Sequence, residues 1–126
     1  MIRLITLISI ILLAGCMATG NVIVTGDARP ATTPEMVKLY LDAPAEYETL
    51  GLVEASAYVG LTEQQAVDDA VAEMKAQAAK IGANGVILTG RGSNATSSVQ
   101  NVGDYIYTIT DEEKKVSGRA IYVNKE

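Results

Sequence analysis

Few side chains in this sequence could carry chemistry, and their spacing narrows the field further. Histidine is absent, and Cys16 is the only cysteine. That excludes Ser-His-Asp and Cys-His catalysis, histidine metal ligation and the usual near-neutral general base. It also excludes an intrachain disulfide and a cysteine zinc cluster. Carboxylates remain. Asp68 and Asp69 diverge by about 100° on a helix, while Asp69 and Glu73 stand one turn apart. The trio offers oxygen ligands for a divalent cation, although a solvated helix face is the commoner use of such a pattern. Asp111-Glu112-Glu113 reads as a polar turn. Gly90-Arg91-Gly92-Ser93 resembles a phosphate-cradling loop, which needs a helix N-terminus behind it; residues 94–103 have no helical period. Asn94-Ala95-Thr96 matches a glycosylation sequon. The sequence therefore assigns no catalytic, cofactor-binding or metal residue and points to a non-enzyme. A carboxylate-dependent hydrolase is the alternative class, and it requires two carboxylates converging in a cleft.

The one reactive side chain is Cys16. Before it stand Arg3 and a run, 4–13, that is apolar except for Thr6 and Ser9. Ten residues at 1.5 Å rise span about 15 Å, half of a hydrocarbon core of about 30 Å. This is the size of a signal-peptide core, not of a membrane-spanning helix. The tetrapeptide Leu13-Ala14-Gly15-Cys16 resembles the lipobox of bacterial lipoproteins. That resemblance implies cleavage before Cys16, diacylglycerol on its thiol and acylation of its amine with chains of the palmitate kind. Acyl chains contribute about 0.8 kcal/mol per buried CH₂, so several of them anchor firmly. Position 17 is Met, not the Asp that often retains such proteins at the inner membrane. The expected place is the outer membrane facing the periplasm where the host has two membranes.

The 126 residues suffice for one domain. Net charge is −5, and −6 once Arg3 leaves with the signal. Nucleic acid, which needs a Lys- or Arg-rich face, is not an expected partner. Phe and Trp are absent, so six tyrosines supply every aromatic ring. They read as sheet residues, with stacking on a peptide or glycan as the functional alternative.

Elements able to position these groups emerge from periodicity. The expected divisions are 1–15 as signal peptide, 16–35 as lipidated cysteine and tether with a possible short strand, and 36–126 as the domain. The tether, rich in Gly, Thr, Ala and Pro, would reach roughly 25 Å if flexible; the possible strand in it is Val22-Ile23-Val24. Thr33-Pro34-Glu35 looks like a helix start or a turn. Residues 37–42 alternate as a half-buried strand, with Val37, Leu39 and Leu41 on one face. A second strand covers about 47–59, where Gly51 signals a bulge or a close backbone approach. Thr62 and Gln65 form a capping-box pattern opening a helix over 62–81. Its apolar stripe is Val67, Val71, Met74, Ala78 and Ile81, and Gly82 is its left-handed cap. Residues 86–88 form a short strand, 90–103 a mobile loop, 105–110 a strand, 111–115 a charged turn and 116–123 the last strand. The class is α+β, a small, mostly antiparallel sheet with one amphipathic helix packed on one face.

Several runs carry a family look. They are Val37-Lys38-Leu39-Tyr40, Tyr47-Glu48, Gly51-Leu52-Val53-Glu54-Ala55, the block Ala78-Ala79-Lys80-Ile81-Gly82-Ala83-Asn84-Gly85-Val86 with Lys75 before it, and Gly118-Arg119-Ala120-Ile121-Tyr122-Val123. Together, over residues 22–124, they resemble the superfamily of the Rcs envelope-stress lipoprotein and the YbjQ-like proteins. The resemblance implies a compact sheet with one helix, an envelope location and, from the YbjQ-like branch, ring-forming self-association. It carries over no catalytic residue. The Rcs sensor is similar to a disulfide-bonded domain, and a chain with only Cys16 cannot share those features.

The functional expectation is thus a lipid-anchored binding or stress-sensing module, with a homo-oligomeric structural lipoprotein as the alternative. Its partners are the membrane, through Cys16, and a protein or second copy, through the sheet. One helix about 10 Å across covers only part of a five-stranded sheet about 24 Å wide. The uncovered apolar positions, including Val86 or Ile87 and Tyr105 or Tyr107, and the edge of the last strand are the anticipated contact surface, with Ile121 and Tyr107 expected to be exposed in it.

Overall fold

The computed structural model describes residues 18–125. Cys16 and the signal segment 1–15 lie outside the described residues. Five strands and one helix run in the order β1 (Ala18–Val24), β2 (Lys38–Tyr40), β3 (Glu46–Tyr58), α1 (Glu63–Lys80), β4 (Gly85–Val102) and β5 (Tyr105–Lys125). The sheet order is β1-β3-β5-β4-β2. All neighbours are antiparallel except β2 and β4, which pair in parallel over three residues. The class is the α+β arrangement that the periodicity predicts.

Helix α1 starts where the capping pattern places it. The Thr62 side chain accepts a hydrogen bond from Gln65 N at 3.1 Å. It ends at Ile81, and Gly82 comes next at φ +83°, a conformation that costs glycine little and a side chain much. Its buried face is rotated from the expected stripe. Met74, Ala78 and Ile81 are buried as predicted, joined by Ala66, Ala70, Gln77 and Ala79. Val67 and Val71 are only half-buried, and so is Asp69, which the pattern places in solvent. The physical reason is close approach. A Cβ at Gly20 would stand 2.9 Å from Glu73 Cγ, and one at Gly118 would stand 3.3 Å from Met74 Sδ. Small residues on both surfaces let the helix settle on its alanines, and the bulkier valines are pushed to its flank. The buried Gln77 is satisfied, donating to Glu73 Oε1 at 2.8 Å and accepting from Lys80 Nζ at 3.3 Å.

The core lies between α1 and one sheet face, built from Leu50, Val53, Ala55, Val86, Val116 and Ala120. The register shift between Thr49 and Gly51 is the bulge that Gly51 signals, and a side chain at Gly51 would also collide with the Ile23 carbonyl. Ile121 points to the other face but is fully buried, against the expectation of exposure. A Cβ at Gly85 would meet the Tyr40 ring at 2.8 Å and Ile121 Cγ1 at 3.2 Å, so the ring crosses over this glycine and covers the isoleucine. Strand β2 is shorter than the predicted 37–42. Val37 is buried ahead of it, while Leu41 lies outside it and is exposed. Thr33-Pro34-Glu35 opens a single 3-10 turn, Pro34–Met36.

Two further expectations are overturned. The segment expected to be a tether with a possible short strand at 22–24 is, from Ala18 on, part of the domain. Strand β1 pairs along its whole length with β3. The next segment is then strapped across the helix end, through Arg29 N to Ile81 O at 2.9 Å and Thr32 N to Ala79 O at 2.9 Å. The Arg29 guanidinium lies 3.8 Å over the Tyr122 ring and 3.0 Å from Glu48 Oε2. The second correction concerns 90–103 and 111–115. Residues 90–102 are the outer part of β4, with Gly103 and Asp104 in the turn, and 111–115 are the middle of β5; the strands are 18 and 21 residues long.

Candidate functional site

The chemistry-bearing residues of the sequence do not converge. Asp68 accepts from Gln64 Nε2 at 2.9 Å and Glu73 from Gln77 Nε2 at 2.8 Å, so both carboxylates are engaged along their own helix. Among the described residues, no group of three or more acidic, Cys or His side chains is placed to hold a metal ion. Glu112 Oε1 accepts from Lys114 Nζ at 2.8 Å, and Glu63 at the start of α1 stands 3.9 Å from the same ammonium. That hydrogen bond from Lys114 to Glu112 holds the Lys114 ammonium above its ordinary pKa, with the charges of Glu112 and Glu63 adding to it against some desolvation. Gly90-Arg91-Gly92-Ser93 lies within β4, opposite Ser117, Val116, Lys115 and Lys114. A straight strand offers no helix N-terminus to an anion, so the phosphate-loop reading falls.

What the structure builds instead is an arm. Strands β4 and β5 pair from Gly85↔Ile121 to Val102↔Tyr105, with one register shift between Leu88 and Gly90 and with Gly103 at φ +60° in the turn. The third strand, β3, leaves β5 at Tyr58↔Glu113. Beyond that row the hairpin is two-stranded for the pairs Thr96↔Asp111 to Val102↔Tyr105, about 24 Å at 3.4 Å per residue. Every residue from 91 to 111 is exposed. The hairpin therefore projects and does not fold back on the domain.

Its composition sets it apart. Between Arg91 and Asp111 the one charged side chain is Asp104. Alternation puts Val102, Tyr105, Tyr107 and Ile109 on one face, and Val99 and Ile106 on the other. Tyr105 and Ile106 are 77% and 74% exposed. Ser, Thr, Asn and Gln fill most of the remaining positions of β4. The sequence signal was present: Tyr105 to Thr110 has strong β propensity. The polar run before it, with no apolar alternation, hid the strand that pairs with it. Asn94-Ala95-Thr96 sits at the root of this arm.

Two depressions accompany the arm. On the open sheet face a shallow trough is lined by Thr19, Asn21, Glu54, Ser56, Lys115 and Ser117. On the helix side, an apolar groove lies between α1 and the β2–β4 edge, bounded by Leu39, Leu41, Val67, Val71 and Leu88. Glu54 is the one carboxylate lining the first and Asp68 the one lining the second. Among the described residues no helix is long and apolar enough to cross a membrane.

No protein-family model matches the chain, and no curated protein matches it. Among solved structures it is similar to the Francisella virulence factor FvfA, in its orthorhombic crystal form, at 17% identity and a TM-score of 0.46. The likeness covers 79% of this chain and 96% of that one.

Proposed function

We propose that the chain is a non-enzymatic, lipid-anchored lipoprotein of the cell envelope, a small binding or stress-sensing module held at the membrane by acylated Cys16. Where the host has two membranes, it sits on the outer one facing the periplasm. The observation that carries this reading is a coincidence of boundaries. The lipobox-like Leu13-Ala14-Gly15-Cys16 ends two residues before Ala18, where β1 begins. Cleavage before Cys16 would remove the apolar leader and leave the domain whole. The contact element is the projecting arm, which buries little of its own apolar surface and contributes little to the core. The resemblance to the Rcs and YbjQ-like superfamily, which implies an envelope location, supports this place.

A homo-oligomeric structural lipoprotein is the second reading. It is favoured by the outer edge of β4: β2 covers Gly85 to Ile87, and among the described residues no strand pairs with that edge beyond it. A free edge with one cation and no proline is a template for pairing.

The test is the mass of the mature N-terminal peptide together with detergent-phase partitioning of the wild-type chain and Cys16→Ala. Acyl mass on Cys16 and loss of partitioning in the variant are expected. An unmodified Cys16, or a variant that partitions normally, overturns the anchor. Native mass of the purified protein separates a monomeric module from a ring.

A further inference from the structure

We infer that the tip of the β4–β5 arm lies in the membrane interface, so that the protein touches lipid at two places, the acylated Cys16 and the tyrosine-bearing hairpin. The inference rests on the anchored reading of Cys16 and deepens it by naming the partner of the arm. Its basis is the direction and length of two segments. Residue Ala18 pairs with Ala57, Ala57 with Lys114, and Lys114 with Ser93, so all four share one row of the sheet. The chain enters β1 at that row, from the end at which the arm projects. Only Met17 lies between Cys16 and Ala18, so the two residue steps reach at most about 7 Å. The arm runs nine residues past the same row, from Ser93 to Val102, or about 30 Å.

An anchor this short leaves the domain no clearance. Either the arm or the body must occupy the surface beside the acyl chains. At the row where the chain enters, the body presents Glu63, Glu112, Glu113, Lys114 and Lys115, charges that resist transfer toward lipid. Within the arm's two-stranded part the one charge short of its base at Asp111 is Asp104, at the turn. Tyrosine suits the boundary because its ring is apolar and its hydroxyl stays wet. Tyr105 and Tyr107 share a face with Val102 and Ile109, and Ile106 flanks the tip on the other side. Tyr58 and Leu61, 64% and 92% exposed, mark the same end of the body. The depth is bounded as well. A two-stranded hairpin keeps open backbone edges, which hydrocarbon does not tolerate. The arm therefore rests at headgroup level, where Ser, Thr, Asn and Gln of β4 also find partners. The net charge, −5 for the whole chain and −6 without Arg3, and an arm with Asp104 as its one charge give an anionic leaflet nothing to attract, so the contact should survive added salt.

The chain has no tryptophan, so one introduced indole reports its own position. The full lipidated protein carrying Tyr105→Trp is reconstituted in phosphatidylcholine vesicles whose acyl chains are brominated close to the ester. Emission should shift to the blue and lose most of its intensity to bromine, with no recovery at high salt. Val24→Trp, at the opposite end of β1, should stay unquenched. The acyl mass on Cys16 is read from the same samples. Acylated, vesicle-bound protein with an unquenched indole at 105 overturns the inference and leaves the anchor standing. A blue shift without quenching means that the arm docks on protein, and overturns it too. Absence of acyl mass overturns both the anchor and the inference.

Discussion

Asn84 and Val123 exchange two hydrogen bonds: Asn84 Nδ2 donates to Val123 O at 3.2 Å, and Val123 N donates to Asn84 Oδ1 at 2.7 Å. The side-chain amide thus acts as one more backbone rung, extending the β4–β5 ladder past Gly85. It ties the turn after α1 to the last strand. In the run Gly82-Ala83-Asn84-Gly85, glycine ends the helix and asparagine fixes the entry into β4.

This relationship gives the first prediction. Asn84→Ala removes both bonds and leaves the part-buried Val123 groups to find water. The expected loss is about 1–3 kcal/mol, read as a lower denaturant midpoint with an unchanged slope. Asn84→Asp keeps the acceptor but sets a carboxylate against the Val123 carbonyl, so it should also destabilise.

The fold was legible where one local signal controlled the outcome. The cap at Thr62, the stop at Gly82 and the bulge at Gly51 each depend on one or two residues, and each stands where the pattern places it. The arm was not legible, because β4 beyond Arg91 has neither an apolar face nor a core to meet. Its strand character comes from the β5 partner, and a single-segment reading does not contain that partner. The helix face was half legible. Periodicity finds the axis but favours large side chains, whereas close approach at Gly20 and Gly118 selects small ones on the helix. As for the candidate site, the tyrosines at 105 and 107 were visible as strand residues, while their projection from the domain required the pairing of β3 to stop at Tyr58.

The rotated helix face is testable by two charges. Met74→Asp buries a carboxylate under α1 and should cost several kcal/mol, comparable with the roughly 5–15 kcal/mol that holds a typical domain. Val71→Asp, at the rim of the apolar groove, can turn to water and should cost less. Circular dichroism melts of the two variants decide the matter, and equal midpoint shifts would restore the stripe that periodicity predicts.

A smaller change probes the same contact from the sheet. A Cβ at Gly118 would sit 2.9 Å from the Ile87 carbonyl oxygen and 3.3 Å from Met74 Sδ. The carbonyl belongs to the ladder and cannot turn aside. Gly118→Ala should therefore destabilise by about 1–3 kcal/mol, whereas Gly92→Ala, with nothing within 4 Å of the added carbon, should have little effect.

The root of the arm carries a pH signature. Hydrogen bonding to Glu112 raises the Lys114 pKa above its usual 10.5. A raised folded-state pKa means that the contribution is fully present below the unfolded value. It is lost as pH rises through the folded one. Stability of the wild type should thus gain nothing from this pair by acidification from about pH 9 to about pH 7, and should fall above about pH 10.5. Lys114→Met should remove that part of the alkaline decline, which denaturant titrations at matched ionic strength will show.

The arm should also differ from the body in its dynamics. A two-stranded ladder open to water on both faces has no third layer to protect it, and isolated hairpins are marginal at best. Amides of the rows Thr96↔Asp111 to Val102↔Tyr105 should exchange hydrogen far faster than those of Val53 and Ala55, which lie between β1 and β5 under α1. Deleting residues 96–111 and closing the strands between Ala95 and Glu112 with Asn-Gly should leave the denaturant midpoint of the body nearly unchanged. On vesicles, the lipidated protein should slow exchange in those rows and leave the rest as it was. Equal protection of arm and body in solution would mean that the hairpin is covered by something other than lipid, and exchange of the arm unaffected by vesicles would mean that it stands clear of them.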